Sequence, residues 1–314
     1  MKELAPIVIF VYSRPIHTEK LLNSLKENIL ANESEIFIFS DSAKNEAKIA
    51  DVNEVRKVIH KYENNNYFKK VTIYEATENK GLAKSVIEGV SKIINKYGKV
   101  IVLEDDLILS KSFLKYMNEA LNVYNDNSLI WSISGYNLPI KISKDYKKDV
   151  YLNYRGCSWG WATWKNRWDK VDWSVSDYNS FKYNFKKRKN FNRGGEDLSQ
   201  MLDAQMNGRC DSWAIRWCYE QSKLDMYTVY PVKSLVTNYG LDGSGTHSGK
   251  TTKYYVKAYD IVPELGNDLT LNKEICKKFK RFNSKPKMYI IEILILFRLD
   301  KVIEKLRKGK NGRH

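Results

Sequence analysis

Along the first third of the chain, short and continuously apolar runs alternate with stretches whose apolar positions recur at helical spacing. Residues 7–12, IVIFVY, are β-prone and end in Ser13-Arg14-Pro15, after which Leu21, Leu22 and Leu25 share one helical face. This predicts strand, turn, helix. The same grammar returns at 36–39 (IFIF) before Ser40-Asp41, at 71–76 (VTIYEA) before Asn79-Lys80-Gly81, and at 100–103 (VIVL) before Glu104-Asp105-Asp106. Between the last two, positions 82, 86, 90, 93 and 94 are apolar at helical spacing. Strands apolar on both faces must be covered on both, so the alternation predicts an α/β fold with a mostly parallel central sheet flanked by helices. Ligands of such sheets gather beyond the carboxyl ends of the strands. Arg14, Asp41 and the acidic triplet all fall at such ends.

From about residue 150 the texture changes to short segments dense in Trp, Tyr and Gly, as in RGCSWGWATWKNRW (155–168), CDSWAIRWCYE (210–220) and SLVTNYGLDGSGTHSG (234–249). The chain thus divides into 1–150, a loop-rich 151–260 suited to acceptor binding, and a tail at 261–314. Residues 285–314 predict a helix with apolar positions 295, 299, 302, 303 and 306, and carry nine basic against three acidic residues. Glu292 and Arg298 interrupt the apolar run, so a bilayer span is not expected. Such a helix suits either an anionic membrane interface or ordinary docking and oligomerisation.

Composition narrows the classes. With 314 residues, 43% of them hydrophobic, the chain can bury a large core, which excludes disorder. Its net charge of +16 favours an anionic partner: nucleic acid, an acidic membrane face or a phosphorylated substrate. Cys157, Cys210, Cys218 and Cys276 show no pairing rhythm, so reduced thiols are expected. The N-terminal apolar run is too short for a signal segment or a span. A cytoplasmic protein is expected, peripheral on the inner membrane face if the tail binds there.

Glu104, Asp105 and Asp106 at a strand end raise one another's pKa unless a cation is present. Mg²⁺ or Mn²⁺ supplies one, using one or two protein carboxylates together with substrate phosphates and water. Strand alternation sets Glu104 and Asp106 on one side and Asp105 on the other. A solvated acidic turn, or the N-cap of the helix that follows, accounts for the triplet alone but not for its company with Arg14 and Asp41.

The motifs VIFVYSRP, IFIFSDS, NKGLAKS, VIVLEDDLILSKSFLKYM, SISGYN and NYGLDGSGTHSG, spanning about residues 5–250, resemble those of A-type-fold glycosyltransferases. Within that fold they are similar to the N-acetylglucosaminyltransferase I family and its bacterial relatives. The tail lies outside the resemblance, and the family's usual N-terminal anchor is not expected. The resemblance implies a metal-dependent inverting hexosyl- or N-acetylhexosaminyltransferase of surface polysaccharide synthesis. It would use Mn²⁺ or Mg²⁺, a nucleotide diphosphate sugar donor, with a UDP-sugar favoured, and a glycan or lipid-linked acceptor. Residues 1–150 would bind the donor and 151–260 the acceptor.

Carried over by position, the resemblance gives Arg14 the diphosphate or base and Asp41 the base or ribose edge. Asp106 becomes the direct metal ligand, with Asp105 and Glu104 facing ribose and donor sugar. Lys84, a helical turn beyond Asn79-Lys80-Gly81, would face phosphate or be a plain surface lysine. Inversion in one step needs a general base near the acceptor hydroxyl. The matching Asp-Trp segment makes it Asp211, with Glu196 and Asp197 as rivals; Asp211 also suits a helix cap. His247, in the Gly-rich GSGTHSG, would contact phosphate as part of a lid. Tyr136, Trp159 and Trp161 would stack on sugar faces, unless they are packing.

Two other classes rank lower. A sugar-nucleotide nucleotidyltransferase would show a Gly-rich loop after the first strand, and SRPIHTEKLL has no glycine. A nucleic-acid or polyanion binder is suggested by the charge and by KKRKNFNR (186–193), but such runs are usually solvated faces and no standard reading module is present. No nucleic-acid partner is expected.

Overall fold

The computed structural model describes residues 3–243 and 251–299. The expected strands form as β1 (Ile7–Val11), β2 (Glu35–Ser40), β3 (Lys70–Glu75) and β4 (Lys99–Glu104). A short β5 (Leu107–Leu109) follows the acidic triplet, and then come β6 (Ile130–Ser134), β7 (Val150–Asn153), β8 (Trp161–Trp164), β9 (Tyr227–Pro231) and β10 (Val236–Asn238). Eight strands make one sheet in the order β3-β2-β1-β4-β8-β6-β9-β7. β1 pairs in parallel with β2 and β4, β2 with β3, and β6 with β9. β8 enters antiparallel between β4 and β6, and β7 runs antiparallel to β9. The sheet is therefore mostly parallel, and it carries strands from both sides of residue 150.

Alternation along β1 explains the two-sided burial. Ile7, Ile9 and Val11 pack into one cluster with Leu21, Leu22 and Leu25. Val8 and Phe10 face the other, with Val86, Val90 and Ile94. The first layer is built by α1 (Pro15–Lys26), α2 (Ile49–His60) and, further along the chain, α4 (Phe113–Val123); the second by α3 (Leu82–Tyr97). Of the periodic positions in α3, Val86, Val90, Ile93 and Ile94 are buried, while Leu82 is exposed and borders a cleft. α3 stops at Gly98, whose φ of +75° supplies the left-handed cap and whose N–H donates to Ile94 O at 2.8 Å.

Short helices α5 (Lys165–Trp168), α6 (Tyr178–Lys182) and α7 (Phe185–Phe191) lead to α8 (Leu198–Met206) and α9 (Trp213–Lys223). The tail contributes α10 (Lys273–Phe282) and α11 (Pro286–Leu296). In α11 Ile295 is buried as the spacing requires, whereas Leu299 lies beyond the helix end and positions 302, 303 and 306 lie outside the described residues. Glu292 does not weaken this helix. Its carboxylate accepts from the fully buried Arg188 of α7, which also donates to Asp203 of α8. Arg188 thus clamps three helices, and removing one partner would leave a buried charge at a cost of about 3–5 kcal/mol. Among the described residues no helix is long and apolar enough to cross a membrane, and all four cysteines are free.

Candidate functional site

Register brings the strand ends together. Val11 stands opposite Ser40 and Phe10 opposite Glu104, so Arg14, Asp41 and the triplet leave the same edge of the sheet. Pro15 opens α1, and the Thr18 backbone N–H and Oγ1 both donate to Arg14 O at 3.0 Å. The Arg14 side chain then reaches across the end of β4. Its Nη2 donates to Asp105 Oδ1 and, at 3.0 Å, to Asp106 Oδ2.

β4 ends at Glu104 and the next two residues form a turn, so strict alternation stops there. Glu104 borders two adjoining cavities; Asp105 borders only the first of them and Asp106 only the second. The first, about 340 Å³, is walled by Tyr12, Phe39, Asp41, Lys44 and Asn79. The second, about 440 Å³, opens toward Trp159, Trp213 and Asn238. Arg14, Leu82, Glu104 and Asp211 border both.

Crowded carboxyls in a low-dielectric place resist ionisation. Burial, then Asp106 and Asp105, push Glu104 up to about 8, against the pull of Arg14. Burial pushes Asp105 up to about 6, again opposed by Arg14. Burial pulls the Arg14 guanidinium down, but the two aspartates outweigh it and hold it above its ordinary value. One guanidinium against three carboxyls leaves the site short of positive charge. Two buried atoms there lack hydrogen-bond partners: Asp106 Oδ1, an acceptor, and Arg14 Nη1, a donor.

Among the described residues no group of three or more His, Cys, Asp or Glu is gathered into a metal cage. Mg²⁺ and Mn²⁺ sites completed by phosphate and water need only one or two carboxylates. The unfilled Asp106 Oδ1 and the excess negative charge therefore fit such an ion.

Asp41 differs from expectation. Its Oδ1 accepts from Ser42 N and Lys80 N, and its Oδ2 from Gly81 N and Asn79 Nδ2. A carboxylate has about four acceptor sites, so none remains for a base or ribose edge. Asp41 instead fixes the 79–81 loop at the cleft wall. Lys84 borders neither cavity; it is more than half exposed and stands 3.9 Å from Glu88. Lys44, which the sequence pattern does not single out, borders the first cavity in its place.

Asp211 lies at the junction of the two cavities, largely exposed, with Arg216 Nη2 at 3.2 Å. It is not a cap: Ser212 fills that role for α9, its side chain accepting from Ile215 N. The rivals are held elsewhere. Asp197 forms a two-pronged pair with Arg155 at 2.7 and 2.9 Å, and Glu196 pairs with Lys280 at 2.6 Å.

Trp161 is a correction. It is fully buried, stacked with Trp213 and Trp168, and cannot meet a sugar. Trp159, two residues earlier and separated from β8 by Gly160 with φ +67°, borders the second cavity and a third of about 370 Å³. Tyr136 lies against the wall of that third cavity but is itself fully buried, edge-on to Trp159 at 4.7 Å and with its hydroxyl donating to Tyr254 O, so like Trp161 it packs rather than stacks on a sugar. His247 lies outside the described residues.

Sequence reasoning also missed Gly240. β10 pairs antiparallel with β5, Asn238 opposite Leu107, and Tyr239 N donates to Asp106 O at 2.8 Å. A Cβ on Gly240 would stand 1.9 Å from Asp106 Oδ2 and 2.7 Å from its Cγ. Gly240→Ala must rotate Asp106 off Arg14. We expect the variant to fold, with metal-dependent nucleotide affinity lowered about 10–100-fold, as for other losses of ligand support; calorimetric titration checks this.

No family model matches the chain, and no curated protein sequence matches it. Among solved structures it is similar to S. aureus TarS residues 1–349, at 11% identity over 76% of this chain and 61% of that one, TM-score 0.43. It spans 34% of the TarS chain solved with UDP-GlcNAc. A mannosyltransferase, PcManGT from Pyrobaculum calidifontis in complex with GDP-Man and Mn²⁺, is 11% identical over 71% of this chain and 70% of that one, TM-score 0.39. UDP-glucose pyrophosphorylase complexed with UDP-glucose is 11% identical over 73% and 90%, TM-score 0.37.

Proposed function

We propose that the chain is a metal-dependent, inverting glycosyltransferase that moves a sugar from a nucleoside diphosphate to a glycan or lipid-linked hydroxyl. The observation that carries this reading is the pair of unfilled atoms, Asp106 Oδ1 and Arg14 Nη1, on two side chains that are themselves hydrogen-bonded. One calls for a cation and the other for an anion, and a diphosphate with its divalent ion answers both. Asp106 would hold Mn²⁺ or Mg²⁺ together with phosphate oxygens and water, and the ion supplies positive charge to the departing diphosphate.

The chain's own residues account for the rest. Arg14 and Lys44 face the phosphates from the cleft walls, Asp41 keeps the 79–81 loop in position, and Tyr12 and Phe39 offer flat surfaces for a base. Glu104 and Asp105 meet sugar hydroxyls. Asp211 takes the proton from the acceptor hydroxyl as its oxygen bonds to the anomeric carbon; the bond from that carbon to the phosphate oxygen breaks, and its electron pair leaves with the diphosphate. Trp159 lines the acceptor's route, held edge-on by the buried Tyr136.

A thermal-shift panel of nucleoside diphosphate sugars, with and without Mn²⁺, tests the reading, because a ligand of the native state raises its stability by mass action. A UDP-sugar is expected to shift the transition only when the metal is present. No shift by any nucleotide sugar contradicts it.

A further inference from the structure

A surface that the proposed reaction does not use joins α11 to α7. α11 turns Ile291 and Ile295 inward, beside Tyr183, and its only acidic residue, Glu292, is taken up by Arg188. The opposite stripe carries Tyr289, Ile290, Ile293 and Phe297, the last 74% exposed and Ile290 and Ile293 more than half exposed. These recur three or four residues apart, on one helical face. The first residue of α7, Phe185, is 59% exposed as well. Lys285 and Lys287 at the start of α11 and Arg298 just beyond its end flank this apolar strip, and Lys186 and Lys189 are exposed on α7, the helix that Arg188 ties to α11. The sequence then adds six more basic against two acidic residues over 300–314.

Large contiguous apolar patches rimmed by charge mark interaction surfaces, and the chemistry here selects among occupants. A second copy packed about a two-fold axis would set this strip against itself and bring its lysines together. Nucleic acid would satisfy the lysines and leave the aromatic and branched side chains in water. We propose that this face docks on an anionic lipid bilayer, with Tyr289, Ile290, Ile293 and Phe297 entering the headgroup layer and the flanking cations meeting lipid phosphates. The docking is independent of the reaction proposed above.

The test is sedimentation of the full chain with vesicles of phosphatidylglycerol and phosphatidylcholine, against vesicles of phosphatidylcholine alone, with the solution mass measured in parallel. Binding only to the phosphatidylglycerol vesicles is expected. Ile290→Glu with Ile293→Glu should lower partitioning about tenfold or more, since exposed positions lose apolar burial and gain like charge toward the lipid. Lys186→Glu with Lys189→Glu should weaken it most at low salt. Equal binding to both vesicle types, or unchanged binding by the isoleucine variant, as when residues 300–314 bind alone or cover the strip, overturns the proposal. So does a dimer that the isoleucine variant dissociates without any vesicle binding.

Discussion

Asp211→Asn is expected to lower turnover by about 10³-fold while leaving donor affinity within about twofold. The amide keeps the size of the side chain and can still accept from Arg216, which stands 3.2 Å from the carboxylate, so the cleft wall should stay as it is. What is lost is the proton acceptor for an attacking hydroxyl. Asp211 is also largely exposed, so the substitution strands no buried charge and should leave thermal stability unchanged. Initial rates at saturating donor, with donor affinity measured separately, divide the two effects. Full turnover by the variant moves the base elsewhere. Glu196 and Asp197 would then have to be released from Lys280 and Arg155, at the cost of two partly buried ion pairs.

Asp106→Ala should have the second large effect, on binding rather than on chemistry. Without this carboxylate the site keeps Glu104, which burial holds well above its ordinary pKa, and Asp105, whose carboxylate is already taken up by Arg14. Metal-dependent affinity for a nucleoside diphosphate should fall at least about 100-fold. A ligand at 100 times its Kd stabilises the native protein by about 2.7 kcal/mol, and a 100-fold weaker one at the same concentration by about 0.4 kcal/mol. The metal-dependent part of the thermal shift therefore all but disappears. The ligand-free variant should be no less stable than the parent, because one of three mutually repelling carboxyls is gone while Arg14 retains Asp105.

The parts of this fold that were legible in the sequence are those fixed by local patterning. β1, β2 and β4 are built on continuous apolar runs, and a run buried on both faces reads the same whatever its neighbours are; β3, half-buried at the sheet edge, still shows its β-prone Val71, Ile73 and Tyr74. β5 and β10 have three residues each, too few to show a period, yet their pairing brings Gly240 against Asp106. β8 has only four residues, and its antiparallel entry beside β4 depends on partners far along the chain. The same limit governs the site. Arg14 and the triplet could be joined because strand ends of a parallel sheet converge. The saturation of Asp41 depends on a loop 38 to 40 residues away, which no spacing rule reveals. Trp159 and Trp161 are two apart and look alike in sequence. The positive φ of Gly160 turns the chain between them, sending one ring to the cleft and the other into a tryptophan cluster. Lys84 sits at helical spacing from the loop but on the outward side, whereas Lys44 follows β2 in an irregular segment without a pattern to betray it.

Calorimetric titration of a nucleoside diphosphate such as UDP into the native protein, in Mn²⁺ and again in a chelator, tests the central claim most directly. Saturable one-to-one binding in Mn²⁺ that is lost in the chelator and in Asp106→Ala is the predicted result. Undetectable binding in Mn²⁺, or the same affinity in all three conditions, would contradict the account.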